Sequence, residues 1–167
     1  KGGLDAAEAQ QLAQKATENA EAQAEYEAGR REWNRRNKEG FDNAIKHFEK
    51  AIELDPDYAD PYVGIADTYA LVPFYSFGTP ETTMPRAKKY AQQAIEINPN
   101  KAAAYTTLAW VAQNYEFDWK SAEKNYKKAI QLNPNYPTGH HWYGAYLAHT
   151  GRAKESVPLF IKAGQLD

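Results

Sequence analysis

The chain is predicted to be all-α, a solenoid of stacked helical hairpins, and three observations carry that prediction. A short phrase recurs as AIELDP at 51–56, AIEINP at 94–99, AIQLNP at 129–134 and a truncated AGQLD at 163–167. Its leading alanines stand 43, 35 and 34 residues apart, and a period near 34 is that of a repeat made of two helices. Between the phrases, apolar residues recur at helical spacing in paired blocks separated by glycine, proline or capping residues.

Composition narrows the function classes. The formal net charge of −2 is too balanced to imply nucleic acid or an anionic membrane by field alone. There is no cysteine, which excludes disulfides and thiolate metal sites and fits any compartment. The reading favours the cytoplasm and leaves the periplasm open. No apolar run approaches the roughly 18 residues that a membrane helix needs. The opening Lys1-Gly2-Gly3 and the stop at Asp167, where the other copies of the phrase continue to Pro, suggest a piece of a longer protein.

Taken in order, the first element is a helix over 4–17. Asp5 with Glu8 makes a capping pair, and the Ala, Gln and Glu content favours helix. Its apolar face is mostly alanine and the helix is marginal alone in water, so it is expected either to cap the first hairpin or to fray. Thr17-Glu18-Asn19 offers a second N-cap and marks a break. Residues 1–19 thus form a capping or linker segment, and 20–167 the repeat domain, divided near 20–56, 57–99, 100–134 and 135–167.

Repeat one places Ala22, Tyr26, Gly29 and Trp33 on one helical stripe and Ala44, Phe48 and Ala51 on the next, with about three extra residues before Gly40. Repeat two gives Tyr62, Ile65, Ala66 and Tyr69, then Ala87 and Ala94. About nine extra residues lie in 72–85, where Pro73, Gly78, Pro80 and Pro85 forbid a continuous helix. Pro85 is expected in the first turn of the second helix. Ala91 stands where the other repeats have an aromatic ring, so this hairpin should pack thinly.

Repeat three gives Tyr105, Leu108 and Ala109, then Ala122, Tyr126 and Ala129. It carries one extra residue near 115–119, with Asp118 as N-cap. Repeat four gives His140, Tyr143, Gly144 and Leu147, a stop at Gly151, then Ser156, Phe160 and Ala163. Small Gly144, Ser156 and Ala163 permit close helix approach, and Tyr143 and Phe160 fill the gaps. Pro158 should weaken the start of the last helix.

With bulky and small residues at these spacings and a proline closing the first three units, the pattern resembles the tetratricopeptide repeat over roughly residues 20–167. That resemblance implies a right-handed superhelix of about four hairpins with an N-terminal extra helix, whose concave groove binds a protein or peptide. The stretches 17–36 and 115–119 also resemble C-terminal repeat arrays of bacterial multidomain signalling and regulatory proteins, which implies a sensing or scaffolding role.

By the same resemblance, the groove is lined by four positions of each first helix. These are Gln23, Tyr26, Arg30 and Trp33, then Asp60, Val63, Asp67 and Ala70, then Ala103, Thr106, Trp110 and Gln113, then Thr138, His141, Ala145 and Ala148. The candidates singled out are Tyr26, Arg30, Trp33, Val63, Asp67, Thr106, Trp110, Gln113, His141 and Ala145. A subclass of the family clamps terminal carboxylates, and its positions here read Tyr26, Arg30, Gly64, Ala103 and Thr107. Only one is basic, which argues against such a clamp. Phe74, Tyr75 and Phe77 form a secondary contact loop, set either against repeat three or toward a partner.

The basic cluster Arg30, Arg31, Arg35, Arg36 and Lys38 reads first as a solvated face with pairs Glu27–Arg31, Glu32–Arg36 and Arg35–Glu39, and second as a contact for an anion or an acidic peptide. Adjacent His140 and His141 point about 100° apart on a helix and cannot share a metal. No phosphate loop, nucleophile elbow or zinc-helix motif is present, so neither catalysis nor a cofactor is expected. The function read from sequence is a non-catalytic interaction module of a larger protein. The alternative is a self-associating spacer, and an enzyme or nucleic-acid binder ranks last.

Overall fold

The computed structural model describes residues 17–166, and the helix expected over 4–17 lies outside them save for Thr17. Among the described residues there are eight α-helices and no strand: α1 (Ala20–Trp33), α2 (Lys38–Leu54), α3 (Ala59–Leu71), α4 (Pro80–Ile97), α5 (Ala102–Val111), α6 (Trp119–Leu132), α7 (Pro137–His149) and α8 (Ala153–Leu166). Each odd-numbered helix packs on the even-numbered one after it. The first helices α1, α3, α5 and α7 also touch in sequence, as an α-solenoid requires.

The recurring phrase works as a joint. Asp55, Asn98 and Asn133 cap their helices with N–H bonds of 2.9 Å to Ala51, Ala94 and Ala129. Each side-chain oxygen then accepts from the N–H two residues on, at 3.2, 3.0 and 3.0 Å, folding the chain over the intervening proline. The proline has no N–H and cannot extend the helix. Its carbonyl is taken by a ring six residues later: the hydroxyls of Tyr62 and Tyr105 donate to Pro56 and Pro99 at 3.1 and 3.2 Å. In the fourth repeat His140 Nε2 lies 2.8 Å from the Pro134 carbonyl. A carbonyl only accepts, so Nε2 carries the proton, which leaves the buried Nδ1 without a partner. Upstream, Asn19 caps α1, accepting from Glu21 and Ala22, as the sequence predicts.

The hairpins close where large meets small. Phe48 is fully buried between two glycines; a Cβ added to Gly29 or Gly64 would come within 2.5 or 2.6 Å of its ring. In repeat two Ala66, Ala91 and Ala94 are fully buried in one layer with Ala104 of repeat three. Between repeats three and four the core is aromatic. Tyr126, Tyr143 and Tyr146 lie within 5.7–6.0 Å of one another, and Tyr126 donates its hydroxyl to Gln113 at 3.0 Å.

The irregular corners differ from expectation in instructive ways. The extra residues of repeat two form a 3₁₀ turn at Val72–Tyr75 and lengthen α4, which begins at Pro80. Pro85 therefore lies inside α4, not in its first turn. The extra residue of repeat three is absorbed as a π-helical turn, Ala112–Glu116, which fits one more residue per turn into the end of the first helix. Phe117 follows at φ 55°, and Asp118 caps α6 by accepting from Ser121. The final helix runs unbroken through Pro158. No helix is long and apolar enough to cross a membrane among the described residues.

Candidate functional site

The four first helices leave a cleft of about 980 Å³ beside a second of about 580 Å³. The larger is lined by Tyr26, Arg30 and Trp33 of α1, Asp60, Val63 and Asp67 of α3, Ala103 of α5, and Tyr136, Thr138 and Trp142 at and after the start of α7. The smaller lies between Trp33, Arg36, Leu71 and Tyr75 on one side and His141, Trp142, Phe160 and Gly164 on the other. Trp33, Thr138 and Trp142 line both, so the two clefts meet there.

Six of the ten groove candidates are thus brought together: Tyr26, Arg30, Trp33, Val63, Asp67 and His141. The other four fall elsewhere. Thr106 is buried and donates to the Ala102 carbonyl, since small Gly139 lets α5 and α7 approach at this point. Gln113 is buried inside the third hairpin on Tyr126, because the π turn rotates it inward. Trp110 belongs to an aromatic stack, with Phe74 at 5.0 Å and Trp142 at 4.5 Å. Ala145 is half-buried and lines neither cleft. Trp142 and Tyr136 were not anticipated, and Arg36 entered only as one of the basic cluster. Trp142 follows His141 by one position and stands clear of the expected register, and Arg36 lies in a turn.

That turn is where the basic cluster departs from a plain solvated face. Arg35 pairs with both Glu32 and Glu39, at 2.7 and 3.1 Å. Glu32 therefore serves Arg35, not Arg36, and Glu27 bonds Gln23, not Arg31. Arg36 adopts φ 52° and folds back, setting its guanidinium 3.5 Å from the centre of the Trp33 ring. Arg30 sits 4.3 Å from the same centre. Each contact is a cation–π arrangement.

The groove is electrically strained. Burial, opposed by the Thr107 hydrogen bond and then by Arg30 and Arg36, leaves the Asp67 carboxyl pushed up to about 6. Burial first, then Asp60, with Arg30 opposing, pushes the Tyr26 phenol up to about 12. Burial also pushes the Arg36 guanidinium down; Tyr75 and Asp67 oppose this and Arg30 adds to it. Asp60 is ion-paired with Lys101.

The aromatic loop splits its contacts. Phe74 meets repeat three at Trp110, whereas Tyr75 and Phe77 meet Phe41 of repeat one at 5.3 and 6.1 Å. No group of three or more His, Asp or Glu side chains is disposed to hold a metal among the described residues. The arrangement offers apolar faces and hydrogen-bonding charges.

Comparison with known proteins agrees with this architecture. A TPR repeat model matches residues 36–72. The chain is 24% identical over 136 residues to the human protein O-mannosyl-transferase TMTC3, covering 78% of this chain and 15% of that protein. It is 34% identical over 104 residues to the uncharacterized protein ycf37 of Pyropia yezoensis, covering 57% of each. The chain therefore spans less than two thirds of the length of either. Among solved structures, a thermophilic TPR protein of Thermus thermophilus, TTC0263, superposes with a TM-score of 0.68 at 18% identity, over 87% of this chain and 74% of that one. The first TPR of Spaghetti (RPAP3), solved with the HSP90 peptide SRMEEVD, superposes with a TM-score of 0.60 at 16% identity, over 86% and 96%. The fold is that of a tetratricopeptide-repeat solenoid, and a repeat of that kind is recognised directly at 36–72.

Proposed function

We propose that this chain is a non-catalytic interaction module that binds an extended peptide or protein segment along its concave groove. The observation that carries the reading is the continuous cleft of about 980 Å³ floored by the first helices, with Tyr26, Trp33 and Trp142 as apolar faces and Arg30 and Asp67 as charges. Aromatic rings beside arginine are what binding hot spots use. A structure of the same fold holds a peptide, which supports the reading. As part of the same proposal, the array serves a larger bacterial signalling or regulatory protein; the support is the resemblance of 17–36 and 115–119 to such arrays.

The test uses a randomised pool of peptides of about ten residues, blocked at both ends, in a fluorescence anisotropy titration. Ala103→Arg places a long side chain into the cleft. It should abolish pool binding while helicity by circular dichroism stays unchanged. Undiminished binding by Ala103→Arg would show that the groove is not the site.

A second reading, self-association as a spacer, is favoured by one observation: Phe117 and Trp119 are exposed by 68% and 45% at one corner. Light scattering decides it, and a concentration-independent monomer removes it.

A further inference from the structure

We propose that Arg30 and Arg36, stacked on Trp33, form an anion subsite that takes an acidic side chain from the middle of a bound peptide. The inference rests on the peptide-groove reading and adds the chemistry of what is recognised.

The first ground is an imbalance of charge. Both guanidiniums lie over one indole, 4.3 and 3.5 Å from its centre. Both are only partly exposed. Among the described residues neither takes part in an ion pair, although Arg35 in the same turn has two. Two like charges held this close, one of them partly desolvated, repel each other. The acids deep in the groove relieve them only in part: Asp67 attracts both, yet it accepts its hydrogen bond from Thr107 and makes no ion pair with either, and Asp60 is paired with Lys101. A ligand carboxylate would receive charge-assisted hydrogen bonds from planar donors already held in place by the ring.

The second ground is position. Trp33 stands where the two clefts join. An anion seated there has open cleft on both sides, so its peptide continues past it in each direction. That separates this site from capture of a chain terminus. On the side of the smaller cleft, Leu71, Tyr75 and Phe160 offer apolar contact. The occupant is therefore an acidic residue with an apolar residue to one side of it.

The probes are pools of peptides of about ten residues, acetylated and amidated, randomised except for a central Glu, Gln or Lys. A further central-Gln pool carries a free C-terminal carboxylate. Anisotropy titrations compare the parent chain with Arg30→Gln, Arg36→Gln and Arg31→Gln. Arg31 is exposed on the same helix and lines neither cleft, so it controls for net charge.

The Glu pool should bind about tenfold more tightly than the Gln pool. Arg30→Gln and Arg36→Gln should each erase most of that difference, and Arg31→Gln should preserve it. Equal binding of the Glu and Gln pools would overturn the subsite and leave the groove reading standing. Loss of the preference in Arg31→Gln to the same degree would also overturn it, as a bulk charge effect. A Gln pool with a free terminus that binds as tightly as the Glu pool would replace the internal acid with a terminal one. Failure of every pool to bind would remove both the subsite and the groove reading.

Discussion

A carboxyl set near Tyr26, Thr107 and Tyr136, and part-sunk in the groove floor, favours its protonated form. Asp67 is raised from an ordinary 3.8 to about 6. Its folded-state value lies above its unfolded one, so the folded chain binds the extra proton between about pH 4 and 6. That contribution to stability is complete below pH 4 and is lost as pH rises through 6. At neutral pH the charged form then costs on the order of 2 kcal/mol, taking the lower end because the residue is part-exposed. Asp67→Asn keeps an acceptor for the Thr107 hydroxyl and removes the charge. It should raise unfolding stability at pH 8 by about 2 kcal/mol and leave it nearly unchanged at pH 3.5. Urea titrations at the two pH values check this, and an equal effect at both would show that ionisation is not the cause. Asp67 was legible in the sequence because α3 is a regular helix and its register holds. Arg36 was legible as one of a basic cluster, but its place over Trp33 was not, because it depends on one positive φ in a turn, which no periodicity reports.

Among the elements, two of the four second helices carry a proline five residues beyond their first residue: Pro85 in α4 and Pro158 in α8. At that depth a proline has left the first turn, where its missing N–H would cost nothing, and it denies the helix one hydrogen bond. Both are exposed, so nothing is gained from burying the ring. Pro158→Ala should therefore stabilise α8 by about 1–3 kcal/mol. The measurement is hydrogen-exchange protection across α8, which should rise there more than in α1 or α2. Helix identity and pairing were legible because Phe48, Tyr126 and Phe160 recur in phase with small residues opposite. The corners were less legible. A count of extra residues says how many must be accommodated but not how. One residue became a π turn at Ala112–Glu116, nine became a 3₁₀ turn with a longer helix, and about three became a turn closed by Arg36. The π turn alone sent Gln113 from the expected groove into the third hairpin.

Across the whole molecule the buried side chains fall into separate groups. Trp33, Phe41, Phe48 and Ile65 fill the first half, and Tyr126, Tyr143, Tyr146 and Leu147 the last. Between them lie the alanine layer of Ala66, Ala91, Ala94 and Ala104 with Val63 and a second group of Ala70, Met84, Ala87 and Val111. These small side chains join the two halves, and in a stack each repeat stabilises only its neighbours. Phe48→Ala removes the ring between Gly29 and Gly64 and should cost about 3–5 kcal/mol. That loss should appear in α1–α3: amide exchange there should speed up by two orders of magnitude or more, while α6–α8 change far less. Tyr126→Ala should give the mirror image. Uniform loss of protection in either variant would mean that the array unfolds as one unit. Asp67–Thr107 and Lys88–Glu116 cross the alanine layer, and so does one loop. The 72–77 segment reaches back to Phe41 through Tyr75 and Phe77 and forward to Trp110 through Phe74. If that strap couples the halves, Phe74→Ala added to Phe48→Ala should widen the contrast between them, by slowing the spread of unfolding into α6–α8. The same strap borders the smaller cleft at Tyr75. A ligand seated against Tyr75 and Trp142 would then touch both halves at once and should raise protection on both sides of the alanine layer.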